Sequence, residues 1–404
     1  FSGNQNHDST DRLDADVSVR STIDVEAADS AHHAFGKFLN ERSAMSKVQR
    51  KNSLFHAYDE AQRIAFGPVT FQATAAAIDL GILKALSDST ESLSIEALAE
   101  RTQQTPYGVR VLVELLSTAH VVTRHADETY SLSKTGECLL FDEMTRVNFN
   151  FIKEVNYAAL AHTTTAISEQ RPAGLAEFDP SWKTIYPHLK DLPAKARQAW
   201  FEFDHYYSDV AYRAALNILK TMNVRHLCDI GGNTGKFTKM ALETLPNARA
   251  TFVDLPEQIE LMKANSQLTN VHARIDAFAI DWLDPDRRLT INEKADLIWM
   301  SQFLDCFSFE EALSILTRAQ EALSEDGRIA ILEPLWDAQP IETASLCLAA
   351  TSLYFTVLAN GNSRFFGRNE LEQLISNAGL EIESRHDHLG VSHSLYVCRK
   401  VSVK

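Results

Sequence analysis

Hydrophobic periodicity changes character twice along the chain. Over residues 1–50 apolar positions are sparse among Asp, Ser, Asn and Arg, with weak helical spacing only near Ala31–Leu39, which predicts a mobile N-terminal tail. From Leu54 the spacing is helical. Ile64–Ala77 is almost wholly apolar and small, and Ile78–Leu83 continues it, the pattern of a helix buried on all sides. Ser94 can cap a short helix over Ile95–Ala99, and Thr105-Pro106 opens another over Tyr107–Ala119. Two short runs, Val121–Thr123 and Thr129–Leu132, then flank a turn at His125–Glu128 and read as a β-hairpin. Helix, helix, hairpin is the order of a winged-helix-like domain, expected over residues 51–150. Residues 151–215 read as a helical linker broken at Arg171–Gly174 and Leu192-Pro193.

From Arg225 onward the alternation is strand, helix, strand. Arg225–Ile230, Arg249–Asp254, Ala295–Met300 and Arg328–Glu333 are short apolar runs, each ending in a polar residue or glycine and separated by amphipathic segments such as Glu310–Leu323. That pattern predicts an α/β fold, a doubly wound parallel sheet over residues 216–404. Gly379–Asp387 and Ser392–Arg399, joined through Gly390, add a terminal antiparallel hairpin. At 404 residues the chain exceeds what one hydrophobic core usually serves, which agrees with two domains.

Charge narrows the function. The formal net charge of −15 opposes binding to nucleic acid or anionic lipid. Between Leu54 and Val147 seven basic residues face thirteen acidic ones, which argues against a DNA-binding regulator built on the winged helix. No apolar run approaches the roughly eighteen residues of a membrane span and no signal pattern opens the chain, so a cytoplasmic protein without membrane contact is expected. Five cysteines without CxxC spacing suit reduced thiols, and the histidines show no metal-ligand spacing, so no metal is expected.

The segment Asp229-Ile230-Gly231-Gly232-Asn233-Thr234-Gly235 follows the first strand of the α/β region and opens a helix. Glycines there let the backbone approach a ligand at the carboxyl edge of the sheet, and helix-start amides can meet a carboxylate. Asp254 ends the second strand, where a carboxylate can accept hydrogen bonds from two ribose hydroxyls, and Asp281-Trp282 follows the third. The glycines do not form GxGxxG, so a dinucleotide fits less well than another nucleoside cofactor.

From about Phe66 to Arg399 the chain resembles the dimeric small-molecule O-methyltransferases, which pair a winged-helix dimerisation domain with a class I methyltransferase domain. It looks closer still to a bacterial branch associated with aryl-polyene and related pigment pathways. The stretches Phe203–Asp209, Ile298–Phe307 and Ala359–Arg364 carry that closer likeness. The resemblance implies S-adenosylmethionine as methyl donor, S-adenosylhomocysteine as product, a homodimer formed through the N-terminal domain, and a small aromatic, phenolic acceptor in secondary metabolism. Its cofactor positions fall on Asp229, Gly231, Gly232, Asn233, Gly235, Asp254, Leu255, Asp281, Trp282, Ser301 and Gln302, with Tyr207 and Ser208 passing over the methyl donor.

Methyl transfer to a phenol requires a base facing the methyl group. The plant-type members of the family use a His just after the fourth strand, and Asp305 stands at that position here. Of the two glutamates that bracket the family's His, one matches Glu333 and the other falls near Phe365. Asp305 lies among Phe303, Leu304 and Phe307, where desolvation would raise its pKa and suit it as a base; a helix-capping or pocket-shaping Asp is the other reading. His205 is the next catalytic candidate. Arg364 is a candidate partner for a substrate carboxylate, and Phe303, Tyr354 and Phe355, with Trp299 and Phe366, are candidate walls of an aromatic pocket. Phenols with a conjugated acyl or carboxylate substituent are the expected starting acceptors. The missing His leaves open C-methylation or a non-methylating activity on the same fold and cofactor.

Overall fold

The computed structural model describes residues 54–401, so the tail expected over residues 1–50 lies outside the described residues. The first helix, α1 (Leu54–Asp79), is followed by α2 (Ile82–Ser87), α3 (Ile95–Thr102) and α4 (Pro106–Thr118), and then by the hairpin β1 (Val122–Arg124) and β2 (Tyr130–Leu132). Ser94 caps α3 by accepting from the Ala97 amide, and Thr105 caps α4 by accepting from Gly108. The reading of α1 as buried on all sides does not hold within one chain. Ala73, Ala75 and Ala77 are buried against the rest of the domain, whereas Ile64, Phe66 and Val69 are 78, 60 and 53% exposed. Among the described residues the neighbours of α1 lie along its C-terminal half, and residues 57–66 are exposed.

Helices α5 (Lys134–Phe141), α6 (Glu143–Phe151) and α7 (Thr163–Glu169) lead to a 3-10 stretch interrupted at the expected breaks, and then to the long α8 (Ala194–Leu219). The sheet follows as β3 (His226–Ile230), α9 (Lys236–Thr244), β4 (Arg249–Asp254), α10 (Pro256–Ala264), β5 (Ile275–Ala279), β6 (Ala295–Ser301), α11 (Phe309–Ala319), β7 (Leu323–Pro334), α12 (Glu342–Tyr354), α13 (Arg368–Asn377), β8 (Leu380–Leu389) and β9 (His393–Lys400). Strand order is β5-β4-β3-β6-β7-β9-β8. The pairs from β5 to β7 are parallel, and β9 is antiparallel to both β7 and β8. The order reverses between β3 and β6, which opens a crevice beyond their carboxyl ends.

Each face of the sheet has its own core. Ile298, Ile315 and Ile331 belong to one, and Leu227, Phe237 and Trp299 to the other, where the Phe237 and Trp299 rings stack 3.9 Å apart. A third core, including Phe151, Ala199, Tyr354 and Leu358, packs α6, α8 and the end of α12 together as a helical cap over the crevice. The stretch Glu342–Ala359 corrects one expectation. Over 18 residues it is apolar enough to cross a membrane by length and composition, with mean hydropathy 1.3, yet Tyr354, Phe355, Val357 and Leu358 at its end are buried in the cap.

Candidate active site

At the carboxyl edge of β3 the chain must turn sharply into α9, and Gly231 (φ +72°) and Gly235 (φ +80°) take left-handed conformations there. A Cβ on Gly231 would stand 2.3 Å from the Phe303 ring, so only glycine lets the loop close over that ring. Two residues on, Asn233 donates its amide to Asp254 Oδ2 at 2.9 Å, and Leu255 donates to Oδ1 at 2.8 Å. Burial nevertheless pushes the Asp254 carboxyl up to about 6.

These residues open onto a cavity of about 820 Å3 that runs from the sheet edge into the helical cap. Its sheet end is lined by Gly231, Asn233, Asp254, Leu255, Asp281, Trp282, Ser301 and Gln302. Gln302 holds a positive φ of 47° and is tied to the ring of buried His393 at 2.8 Å, a strained backbone fixed from behind. Among the described residues, three buried polar atoms here have no hydrogen-bond partner: Gln258 Oε1, Trp282 Nε1 and Ser301 Oγ. Donors and acceptors left open beside a carboxylate at a strand end fit a nucleoside with an amino-acid arm, which is the shape of S-adenosylmethionine.

The cap end is aromatic, walled by Phe151, Tyr186, Trp200, Phe203, Tyr354 and Phe355, with Phe303 at the junction. Thr351, Tyr354 and Phe355 lie three and four residues apart on one helical face, and Trp200 donates its indole N–H to the Tyr354 hydroxyl at 2.7 Å. Asp305, in the short turn after β6, lines the cavity where the two ends meet and is 1% exposed. Behind it, Glu333 is fully buried and accepts the amides of Phe303 and Leu304 at 3.1 and 2.9 Å. Asp305 Oδ2 and Glu333 Oε2 would both lack a donor if both groups were ionised. Burial and the adjacent Asp305 charge hold Glu333 well above the ordinary carboxyl range. It therefore carries a proton and donates it to Asp305. Asp305 itself is pushed up to about 6, by burial first, with the hydrogen bond from Glu333 opposing the shift.

Several sequence candidates stand away from the cavity. Asp229 is buried behind the loop, where its Oδ2 accepts from the Thr238 hydroxyl and burial pushes its carboxyl up to about 7. Gly232 packs on Phe252, and Gly235 lies against Met262 and Leu268, so these three residues shape the loop and do not line the cavity. On α8, Ser208 lines the cavity, but the Tyr207 hydroxyl donates to Asn148 on α6 at 2.7 Å and points elsewhere. His205 also lies outside the lining, stacked near Phe201. The helix explains this: Asp204 and Ser208, four residues apart, share the inward face, and His205 is rotated roughly 100° from it. Asp204 thus takes the place expected of His205; it lines the cavity, accepts from Asn233 Nδ2 at 3.1 Å, and is raised by burial. Arg364 pairs with Glu370 at 2.7 Å and does not line the cavity. Trp299 and Phe366 are core.

Sequence reasoning missed Asp204, Tyr186 and Trp200. Asp204 was legible as the neighbour of His205, had the helical face been fixed. Tyr186 lies in the 3-10 stretch, where no periodicity reports which side faces inward.

A doubly wound sheet with a terminal hairpin, a glycine turn, an acid at the end of the second strand and a deep cavity beside them define a class I S-adenosylmethionine-dependent methyltransferase. Comparison with known proteins agrees. A family model of the O-methyltransferase domain matches residues 191–381, and a Dimerisation2-like domain matches residues 59–130, together well over half of the chain. The chain belongs to this O-methyltransferase family, and it is an S-adenosylmethionine-dependent enzyme acting on a small molecule. Human acetylserotonin O-methyltransferase is 22% identical over 80% of the chain and 93% of that protein. Aclacinomycin 10-hydroxylase RdmB of Streptomyces purpurascens is 26% identical over 72% of the chain and 76% of that protein. The solved structure of the mitomycin 7-O-methyltransferase MmcR superposes with a TM-score of 0.65 at 19% identity, covering 86% of this chain and 98% of the other.

Proposed function

We propose that the chain transfers the methyl group of S-adenosylmethionine to an oxygen of a small aromatic acceptor, with Asp305 taking the acceptor's proton. The observation that carries this reading is Asp305 itself, a buried carboxyl at the junction of the two cavity ends, raised to about 6 and held by a protonated Glu333. Glycine-loop amides, Asp254, Asp281, Trp282 and Ser301 hold the donor, which supplies an electrophilic methyl carbon on a sulfonium. The aromatic cap orients the acceptor ring and excludes water. Asp305 accepts the hydroxyl proton as the oxygen attacks. Glu333, which does not line the cavity, acts as a positioning residue by fixing the Asp305 carboxylate and the turn that bears it.

The same reading divides the chain into a dimerisation domain over 51–150, a helical linker over 151–215 that walls the acceptor end, and a cofactor domain over 216–404. It pairs two copies through the exposed Ile64, Phe66 and Val69 of α1, gives no role to nucleic acid or membrane, and takes the enzyme as cytoplasmic. The proposed pathway is secondary metabolism, of the pigment-related kind. An Asp in place of the family's His, together with the similarity to a 10-hydroxylase, favours one second reading, in which the same cofactor serves C-methylation or a reaction without methyl transfer. Incubation with methyl-labelled S-adenosylmethionine and a panel of phenols, followed by mass analysis, separates them. The proposal expects label on oxygen; label on ring carbon, or bound cofactor with no transfer to any acceptor, would overturn it.

A further inference from the structure

The charge of the cavity lining points to one class of acceptor. Its titratable acids and bases are one-sided: Asp204, Asp254, Glu257, Asp281, Asp305 and Glu311 line it, and among the described residues no Lys, Arg or His does. The basic groups near Asp204, His205 and Lys236, act on it from outside the wall, and both stand against Asp209. Arg364 pairs with Glu370. The sulfonium donor brings positive charge to the sheet end, where Asp254, Glu257 and Asp281 lie. Asp204 and Asp305 remain at the junction, facing aromatic walls, and among the described residues the buried Tyr186 hydroxyl beside them has no hydrogen-bond partner. Aromatic faces attract cations, and a carboxylate close to them adds direct charge pairing in a site of low dielectric. An anionic group in the same place would meet two acidic side chains with no basic side chain on the wall to pair with it.

We propose that the acceptor end is built for a small aromatic molecule that bears a protonated amine or quaternary nitrogen, held against Trp200, Phe203 and Tyr354 with Asp204 as its counter-charge, and that it rejects carboxylate-bearing acceptors. This rests on the methyl-transfer reading for what is then done to the molecule, but not for which charge is bound. It also replaces the expectation of carboxylate-substituted phenols, since the arginine that was to receive the carboxylate faces away.

Three probes of similar size separate charge from shape: tyramine, 4-ethylphenol and 3-(4-hydroxyphenyl)propionate, each titrated calorimetrically into the full chain saturated with S-adenosylhomocysteine. Tyramine is expected to bind tightest, about tenfold or more ahead of the propionate, with 4-ethylphenol between them. Asp204→Asn is expected to shrink the tyramine advantage several-fold without changing 4-ethylphenol. Equal binding of tyramine and 4-ethylphenol, or equal or tighter binding of the propionate, overturns the proposal. So does an undiminished tyramine advantage in a folded Asp204→Asn variant, which would remove Asp204 as the counter-charge. If Asp204→Asn does not fold, the wild-type order decides alone. A failure of S-adenosylhomocysteine to bind would instead strike the methyl-transfer reading, and the same three titrations on the protein without it would still decide the charge preference.

Discussion

Glu333 separates a structural carboxyl from a catalytic one, because two substitutions at it have opposite expected effects. Its Oε1 accepts two buried amides, and its proton is donated to Asp305. Glu333→Ala leaves the Phe303 and Leu304 N–H groups and one Asp305 oxygen unpaired in a fully buried place. At about 1–3 kcal/mol for each orphaned group, partly relieved by relaxation or entering water, the loss of stability is about 2–4 kcal/mol. Glu333→Gln keeps an acceptor for the amides and a donor for Asp305, so stability should change by less than about 1 kcal/mol. The glutamine, like the protonated Glu333, is a neutral donor, so the hydrogen bond that favours the Asp305 carboxylate stays and no charge beside it changes. The acidic limb of the rate–pH profile should therefore stay within about half a pH unit of the wild type, where it lies near Asp305's value of about 6. Urea denaturation of both variants and the rate–pH profile of Glu333→Gln make the test. Equal destabilisation by Gln and Ala, or an acidic limb that falls by about a pH unit or more in Glu333→Gln, as removal of an ionised neighbour would cause, would refute the shared-proton arrangement.

Asp254→Ala should weaken S-adenosylhomocysteine binding by about 1.5–3 kcal/mol, through loss of charge-assisted hydrogen bonds to the ribose; an unchanged calorimetric affinity would remove Asp254 from the site. Replacing Ile64 and Val69 on the exposed half of α1 by Glu should dissociate the dimer at micromolar concentration in sedimentation, whereas a wild type that already sediments as a monomer would contradict the dimer. Asp229, Asp254 and Asp305 are raised to about 7, 6 and 6, so the folded state holds protons that the unfolded chain releases at lower pH. Their contribution to stability is complete below the ordinary Asp range and falls as pH rises through 6 to 7, so chemical denaturation of the ligand-free protein should show the midpoint declining over that window. A midpoint rising there would show that other groups dominate.

The helices and strands were legible where burial imposes a period, as in α11, where Ser308 and Glu311 form a capping box and apolar residues face the sheet. The sheet end of the cavity was legible for a similar reason: Gly231 and Asp254 sit at strand ends, where position along the sequence fixes position in space. The cap end was not. Sequence order alone does not tell which face of a helix turns inward, and a rotation of one residue exchanged His205 for Asp204. Whether a long side chain reaches the cavity depends on the partner it finds, and Arg364 found Glu370 while Tyr207 found Asn148. The exposure of Ile64 and Phe66 shows the complementary limit, since an apolar helix read as core carries no mark of which chain covers it.

The assignment of Asp305 as the base is tested most directly by the single-turnover rate of methyl transfer in Asp305→Asn, measured with labelled S-adenosylmethionine and an acceptor drawn from the panel. The substitution is nearly isosteric and keeps an oxygen for the surrounding donors, so fold and cofactor affinity should be retained. The chemical step should fall about 10²–10⁴-fold, and the acidic limb near pH 6 should disappear. A rate within a few-fold of wild type, with the acidic limb still in place, would contradict the assignment and leave Asp305 a wall of the pocket.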